Sequence, residues 1–295
     1  MLRVTPESIH FSRAALGSGP FIVRWLGTAG FAVECDGHTV LIDPYLTRAS
    51  LWTCLRGGLR SDPALVRRHA PRADAIVLGH THFDHALDAP SIALSTGARV
   101  FGSHSAAALC RAHRVPEAQI VDVEALCADR PSGPHVAEVG PMRLRFFPSA
   151  HSRFLLGRVP FPGEISDCDD IPMPMSHYRC GAVFGLEISA HGRTIFHVGS
   201  AELVEEGLRD GPRQVDLALL CVAGWTSSRD LPERAVRALS PRAVLLSHWD
   251  DFLRPIDRPA KALPAMRMPA LVERLARASR DVEVGTLPIL GELEL

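Results

Sequence analysis

Apolar residues fall along this chain in short runs, punctuated by turn residues and mostly at strand spacing. After an irregular lead-in over residues 1–20, three β-type runs follow at Phe21–Leu26, Phe31–Cys35 and His38–Ile42. Gly27 and Gly30 separate the first two, and Asp36-Gly37 is a two-residue hairpin signal between the second and third. Asp43-Pro44 closes the third run, and an Arg-rich, Gly-containing loop is expected up to about Arg60. Ser61-Asp62-Pro63 reads as a helix start, with Pro at the first turn. Ala75–Leu78 and Arg99–Gly102 are compact strands, and Ser103 caps a helix running to about His113. A loop at 128–134 precedes a strand at Arg143–Phe147. Ala182–Ser189 and Thr194–Val198 form a second hairpin around His191-Gly192. Asp216–Val222 and Ala243–Leu246 are buried strands. Asp230-Leu-Pro-Glu233 resembles a capping box, and Pro269 to about Ser279 is the last long helix. Its Arg274, Arg277 and Arg280 read as a solvated face.

Strands followed by mixed strand and helix, twice over, predict an α/β layered sandwich, two sheets inside and helices outside. Residues 21–295 are expected to form one domain, with its two halves dividing near residue 148. The 295 residues and 46% hydrophobic content allow a sizeable core. The formal net charge of −1 offers no basic footprint for nucleic acid and no polybasic anchor for a membrane. The longest apolar run, Leu217 to Trp225, is too short to span a bilayer. The N-terminal segment lacks a continuous apolar signal, so a cytoplasmic location is expected. The seven cysteines are scattered and contain no C-x-x-C pair, which points to reduced packing residues.

The chemistry concentrates in Gly79-His80-Thr81-His82-Phe83-Asp84-His85, directly after a buried strand. His80 and His82 are two apart, so an extended backbone turns both to one side. With Asp84 and His85, that makes four good ligands in six residues, suited to a borderline metal such as zinc. A surface loop that happens to be His-rich is the competing explanation, and the buried strand before it argues against that.

H-x-H-x-D-H after a short apolar strand resembles the metallo-β-lactamase fold superfamily. Further resemblances span most of the chain: Trp25-Leu-Gly-Thr-Ala-Gly-Phe31, Leu41-Ile-Asp-Pro44, Pro148-Ser-Ala-His151, Phe196-His-Val-Gly-Ser200 and Leu246-Ser-His248-Trp-Asp. The His248-Trp249 ending and the Trp25-Leu-Gly lead-in are similar to the branch with ascorbate-phosphate lactonases and phospholipase-D-type N-acylethanolamine enzymes. The resemblance implies a four-layer αββα sandwich and a metal-dependent hydrolase acting on an ester, a lactone or a phosphodiester. It implies one metal site of His80, His82 and His151, and a second of Asp84, His85 and His248. Asp84 would also orient the attacking hydroxide. One or two Zn2+ ions suit this imidazole-rich shell, with Mn2+ or Fe compatible. Asp43 is either an acceptor for a ligand imidazole N–H or a turn residue before Pro44.

The pattern departs from the family at Ser200, where the resemblance implies an aspartate bridging two metals. A neutral residue there leaves a rival reading, a catalytically silent metal-binding or sensor protein of the same fold. Glu202 could substitute only with a backbone shift. A redox di-iron role usually accompanies a flavin domain, for which no residues remain. No G-x-S-x-G or phosphate-loop motif competes. Residues 152–181 are expected to form a lid or pocket wall between two proposed ligand segments. Phe154, Phe161, Met173, Met175 and Tyr178 there suit a small-molecule substrate with an apolar portion, or the protein's own core. Asp167, Asp169 and Asp170 lie in the same stretch. His177 is a candidate proton donor or oxyanion contact, with a structural role as the alternative. Trp225 and Trp249 are expected to pack near the site.

Overall fold

The computed structural model describes residues 4–12, 16–128, 135–153, 156–166, 171–264 and 266–295. Phe154 and the acidic group Asp167, Asp169 and Asp170 lie outside the described residues. The first half runs β1 (Phe21–Gly27), β2 (Gly30–Cys35), β3 (His38–Ile42), α1 (Leu51–Arg56), α2 (Pro63–His69) and β4 (Ala75–Val77). It continues with α3 (Phe83–Ala86), α4 (Ala89–Thr96), β5 (Arg99–Gly102), α5 (His104–Ala112), β6 (Ile120–Asp122) and α6 (Val123–Ala128). The second half runs β7 (His135–Val139), β8 (Met142–Ser149), β9 (Val183–Ala190), β10 (Arg193–Val198), β11 (Leu217–Cys221) and α7 (Leu231–Leu239). It ends with β12 (Ala243–Ser247), α8 (Met268–Ala278), β13 (Glu283–Gly285) and β14 (Glu292–Glu294).

Two seven-stranded sheets result, ordered β14-β1-β2-β3-β4-β5-β6 and β13-β12-β11-β10-β9-β8-β7. Each begins as an antiparallel meander and continues as parallel strands. The chain changes sheet between β6 and β7, earlier than residue 148, which lies inside β8. β14 then returns to pair antiparallel with β1 as an edge strand of the first sheet.

Side-chain alternation sorts the core into layers. Val40 and Ile42 of β3 face the inner core between the sheets, while Leu41 faces the outer core under α2, α4 and α5. Phe101 of the first sheet stacks on Phe146 of the second at 5.8 Å. Leu231, Leu239, Leu271 and Leu275 of α7 and α8 cover the far side of the second sheet. The hairpin turns are where the sequence puts them. Asp36 and Gly37 take φ of 47° and 79°, and His191 and Gly192 take 48° and 76°, the left-handed pair that a two-residue turn needs. Asp62 caps α2 through Ala64 and Leu65, and Ser103 caps α5 through Ala106.

Two local expectations are corrected. The stretch before Arg60 is not all loop, because Ser50 caps the short helix α1. Asp230 starts α7 without a capping hydrogen bond; its backbone is left-handed and its carboxylate is drawn to Arg274 at 3.0 Å. Arg274 also binds Glu233, so it ties α8 to α7 instead of facing solvent alone. Among the described residues six cysteines are free, and no helix is long and apolar enough to cross a membrane.

Candidate metal centre

β4 delivers the His-rich segment to the edge where the two sheets meet. Its exit is pinned by Asp43, whose Oδ1 accepts from the Gly79 N–H at 2.7 Å. A side chain on Gly79 would press on that carboxylate, since a Cβ there would sit 3.1 Å from Oδ2. The backbone stays extended through His82 and then turns into α3, which carries Asp84 and His85. The second sheet supplies two more histidines. His151 lies two residues beyond β8, and His248 directly follows β12. His248 holds a left-handed backbone (φ 56°) and its N–H donates to the Thr28 carbonyl at 2.7 Å.

These side chains converge as two adjoining triads. His80, His82 and His151 form one, and Asp84, His85 and His248 the other, with the ligand atoms of each within 4.8 Å of one another. The His80 and His85 rings lie 3.8 Å apart and join the two. His80 Nε2 is 3.0 Å from His82 Nδ1, and Asp84 Oδ2 is 3.2 Å from His248 Nε2. His151 is partly exposed and the other five are buried.

The surroundings fit a cation. The partner carbonyl of Pro160, 2.8 Å from His82 Nε2, sets that nitrogen as the donor and leaves Nδ1 with its lone pair toward His80. Asp43 Oδ2, 2.9 Å from His85 Nδ1, does the same for His85 and turns the other nitrogen to the cluster. Asp43 is therefore both the acceptor and the turn residue considered from the sequence, with a φ of 42°. His151 Nδ1 is 2.8 Å from the Ser152 carbonyl. Burial lowers the pKa of His80, His82 and His151, and neighbouring imidazoles add to this at His80 and His151; His151 falls to about 3. Burial acts the same way on His85, but the charge and hydrogen bond of Asp43 outweigh it and the pKa rises. Burial opposes ionisation of Asp84, yet the His248 hydrogen bond and the charges of His85 and His248 overcome it and hold the carboxyl well below its usual range. Three imidazoles held toward their neutral form, with further imidazole nitrogens and a carboxylate beside them, are a donor set that zinc-type ions take.

Ser200 lines the same cavity, and its Oγ accepts from the Ser152 N–H at 3.1 Å. It thereby braces the residue after His151. Glu202 is turned to Arg234 at 2.8 Å and offers no carboxylate to the cluster. The cavity measures about 520 Å³. Pro160, Phe161 and Met175 of the 152–181 segment line it, as do Trp225 and Phe252. The Trp225 indole N–H donates to the Met266 carbonyl at 2.7 Å. Trp249 does not reach the cavity lining; it is fully buried against Trp25, ring centres 5.2 Å apart.

His177 is a correction. It is exposed in the short turn Met175–His177 and is not among the cavity-lining residues, because Met175 and the buried Tyr178 take the inward positions. Two features escaped sequence reasoning. Buried Asp88 accepts from the N–H of Leu46 and Thr47 and from the hydroxyls of Thr47 and Ser61, tying down the loop after Asp43. Asp250, two residues after His248, pairs with Arg48 at 2.8 Å in the interior and accepts from the Thr28 N–H at 3.0 Å. Only the position of Asp88 just before Ala89-Pro90 hinted at a helix-start role.

Residues 38–249 match the beta-lactamase superfamily domain. The chain is 26% identical over 239 residues to a UPF0173 metal-dependent hydrolase of Thermodesulfovibrio yellowstonii, a match covering 78% of this chain and 79% of that protein. Igni18, a metallo hydrolase from the archaeon Ignicoccus hospitalis, is similar with a TM-score of 0.55 at 17% identity, covering 92% of this chain and 97% of that one. The metallo-β-lactamase fold protein YhfI from Bacillus subtilis is similar with a TM-score of 0.55 at 12% identity, covering 94% of this chain and all (100%) of that one. The architecture is the metallo-β-lactamase fold that the histidine motif implies.

Proposed function

The chain belongs to the beta-lactamase superfamily, and from that premise we propose that it is a metal-dependent hydrolase of an ester, a lactone or a phosphodiester. The observation that carries the reading is the pair of adjoining triads, built from both sheets and presenting imidazole nitrogens beside the Asp84 carboxylate. His80, His82 and His151 would hold one ion, and Asp84, His85 and His248 a second. A divalent ion held by these residues would lower the pKa of a coordinated water to about 7 and would polarise a carbonyl or phosphoryl oxygen. Zinc suits the donor set, and manganese or iron is compatible with it. The Asp84 carboxyl, held well below its usual range by His248 and His85, would accept a hydrogen bond from the attacking water and orient it. Asp43 fixes the tautomer of His85. The cavity above the cluster receives a small molecule. The near-zero net charge supports a substrate other than nucleic acid, and the free cysteines support a cytoplasmic location.

A silent metal-binding or sensor role draws on one observation, the neutral Ser200 in the cavity wall. One experiment separates the two. Metal analysis of the purified protein should find one to two equivalents of a transition metal. A panel of esters, lactones and bis-phosphodiesters should then show turnover that chelation stops and Asp84→Asn reduces by at least a hundredfold. Metal content near zero after attempted reconstitution overturns the site. Bound metal with no turnover of any member supports the silent role.

A further inference from the structure

We propose that this cavity selects an uncharged carbonyl substrate carrying an apolar arm, and that α1 forms the rim over which the arm passes. The inference rests on the hydrolase reading above and chooses within it. Its first support is charge. Among the described residues lining the cavity there is no Arg or Lys; the ionisable groups are the proposed ligands themselves and two cysteines. A phosphodiester or a carboxylate-bearing substrate brings a fixed negative charge that the ions of the site would have to meet alone, with no guanidinium or ammonium group in the cavity wall to share it. In the groove on the other side of His151, Arg234 is already held by Glu202 at 2.8 Å and Glu205 at 2.6 Å, and Arg153 is exposed outside the cavity lining.

The second support is the wall. Phe161, Met175, Phe252, Leu253 and Met266 line the cavity around the cluster, so binding there removes apolar substrate surface from water. Leu51 of α1 lines it too, yet is 56% exposed, so it stands at the mouth. Its helix neighbours Trp52 and Leu55 are 66% and 63% exposed, and Arg56 stacks on the Trp52 ring at 4.4 Å. Large apolar side chains grouped on one short helix beside a cavity mouth mark a recognition surface. The two walls are one unit, because Leu59 just after α1 donates its N–H to the Met173 carbonyl at 2.7 Å and Gly58 bridges to Pro174. In the reaction, water adds to the carbonyl carbon and the acyl C–O bond breaks. An ester gives a carboxylic acid and an alcohol, and a lactone gives one hydroxy acid.

The test uses the metal-loaded protein with p-nitrophenyl acetate, butyrate and octanoate, bis(p-nitrophenyl) phosphate, and a p-nitrophenyl ester ending in a carboxylate. Each methylene buried in an apolar site contributes roughly fourfold at most. We expect kcat/KM to rise at least tenfold from acetate to octanoate, mainly through KM, and octanoate to exceed both anionic substrates by at least tenfold. Leu51→Glu, at an exposed position, and Met175→Glu should each cut the octanoate-to-acetate ratio at least fivefold. Independently of turnover, octanamide should bind at least tenfold more tightly than butyramide by calorimetry. A flat chain-length profile with metal-dependent turnover, or preference for an anionic substrate, overturns this inference and leaves the hydrolase reading standing. Absence of metal-dependent turnover on every substrate overturns the hydrolase reading. The amide pair then decides apolar recognition by itself, and equal binding of the two overturns it.

Discussion

Asp43 hydrogen-bonds His85 and lies within 4.8 Å of the ligand atoms of both His80 and His85, and it controls two things at once. One oxygen holds the His85 imidazole and the other holds the Gly79 N–H at the start of the histidine segment. Removing it frees the ring to rotate and unpins the strand exit. Asp43→Ala is expected to weaken metal affinity by about 10–100-fold, measured by competition with a zinc-binding dye, while Asp43→Asn should lose less because its amide oxygen can still accept. Ser200 poses the opposite question, since a charge is missing there. Ser200→Asp should tighten the second metal equivalent by about tenfold, ~1.4 kcal/mol, and change the first far less, as read by stepwise calorimetric titration. An unchanged second equivalent would show that residue 200 does not lie between the ions. These residues differ in how legible they were. His80, His82, Asp84 and His85 fall within six residues; extended spacing turns His80 and His82 to one side, and the start of α3 brings Asp84 and His85 beside them. His151 and His248 come from the other sheet, and only resemblance could join them to the motif. His177 misled because a lone histidine in an apolar loop carries no period, and the turn gave the inward places to Met175 and Tyr178.

Among elements, those with a local signal were readable. Alternation located β1 to β3, and the Asp-Gly and His-Gly pairs located both hairpins, because these conformations are set by neighbouring residues. β6, β13 and β14 have three residues each, too few for a period, and they exist because a longer strand offers them hydrogen bonds. α1 was likewise unreadable. It is six residues long, below what helix propensity can sustain, and mostly exposed. What anchors its loop is buried Asp88 at the start of α4, which gathers one buried donor from Leu46 and partly buried donors from Thr47 and Ser61. Asp88→Ala leaves those donors without an acceptor. Each such orphan costs about 1–3 kcal/mol, and since the group acts as a unit the expected loss is about 3 kcal/mol. The urea midpoint should fall with an unchanged slope. If the substrate rim depends on this loop, KM for long-chain esters should rise in the same variant.

At the scale of the whole molecule, the proposed centre is a joint between the sheets. Its first four side chains hang from the end of β4 and its last two from the ends of β8 and β12. The core between the sheets is apolar, but at this edge it is replaced by a cluster of histidines and Asp84. Imidazole rings packed against one another do not hold one another strongly, and His80 Nδ1 and His248 Nδ1 are buried without hydrogen-bond partners. An ion that takes lone pairs from both sheets stitches the joint together, so its binding energy becomes folding energy. A ligand at a thousandfold excess over its Kd stabilises the folded state by about 4 kcal/mol. Chelation should therefore lower Tm by several degrees, and adding zinc back should restore it. The loss should follow the ligands, not the fold: His80→Ala should start near the chelated Tm and respond little to either treatment. Hydrogen exchange should show where the effect resides, with amides at the ends of β4, β8 and β12 losing protection on chelation while those of β1 and β9 keep theirs. Uniform loss across both sheets would mean that the ion supports the whole domain and not this joint, and an unmoved Tm would mean that the two sheets hold the cluster without it.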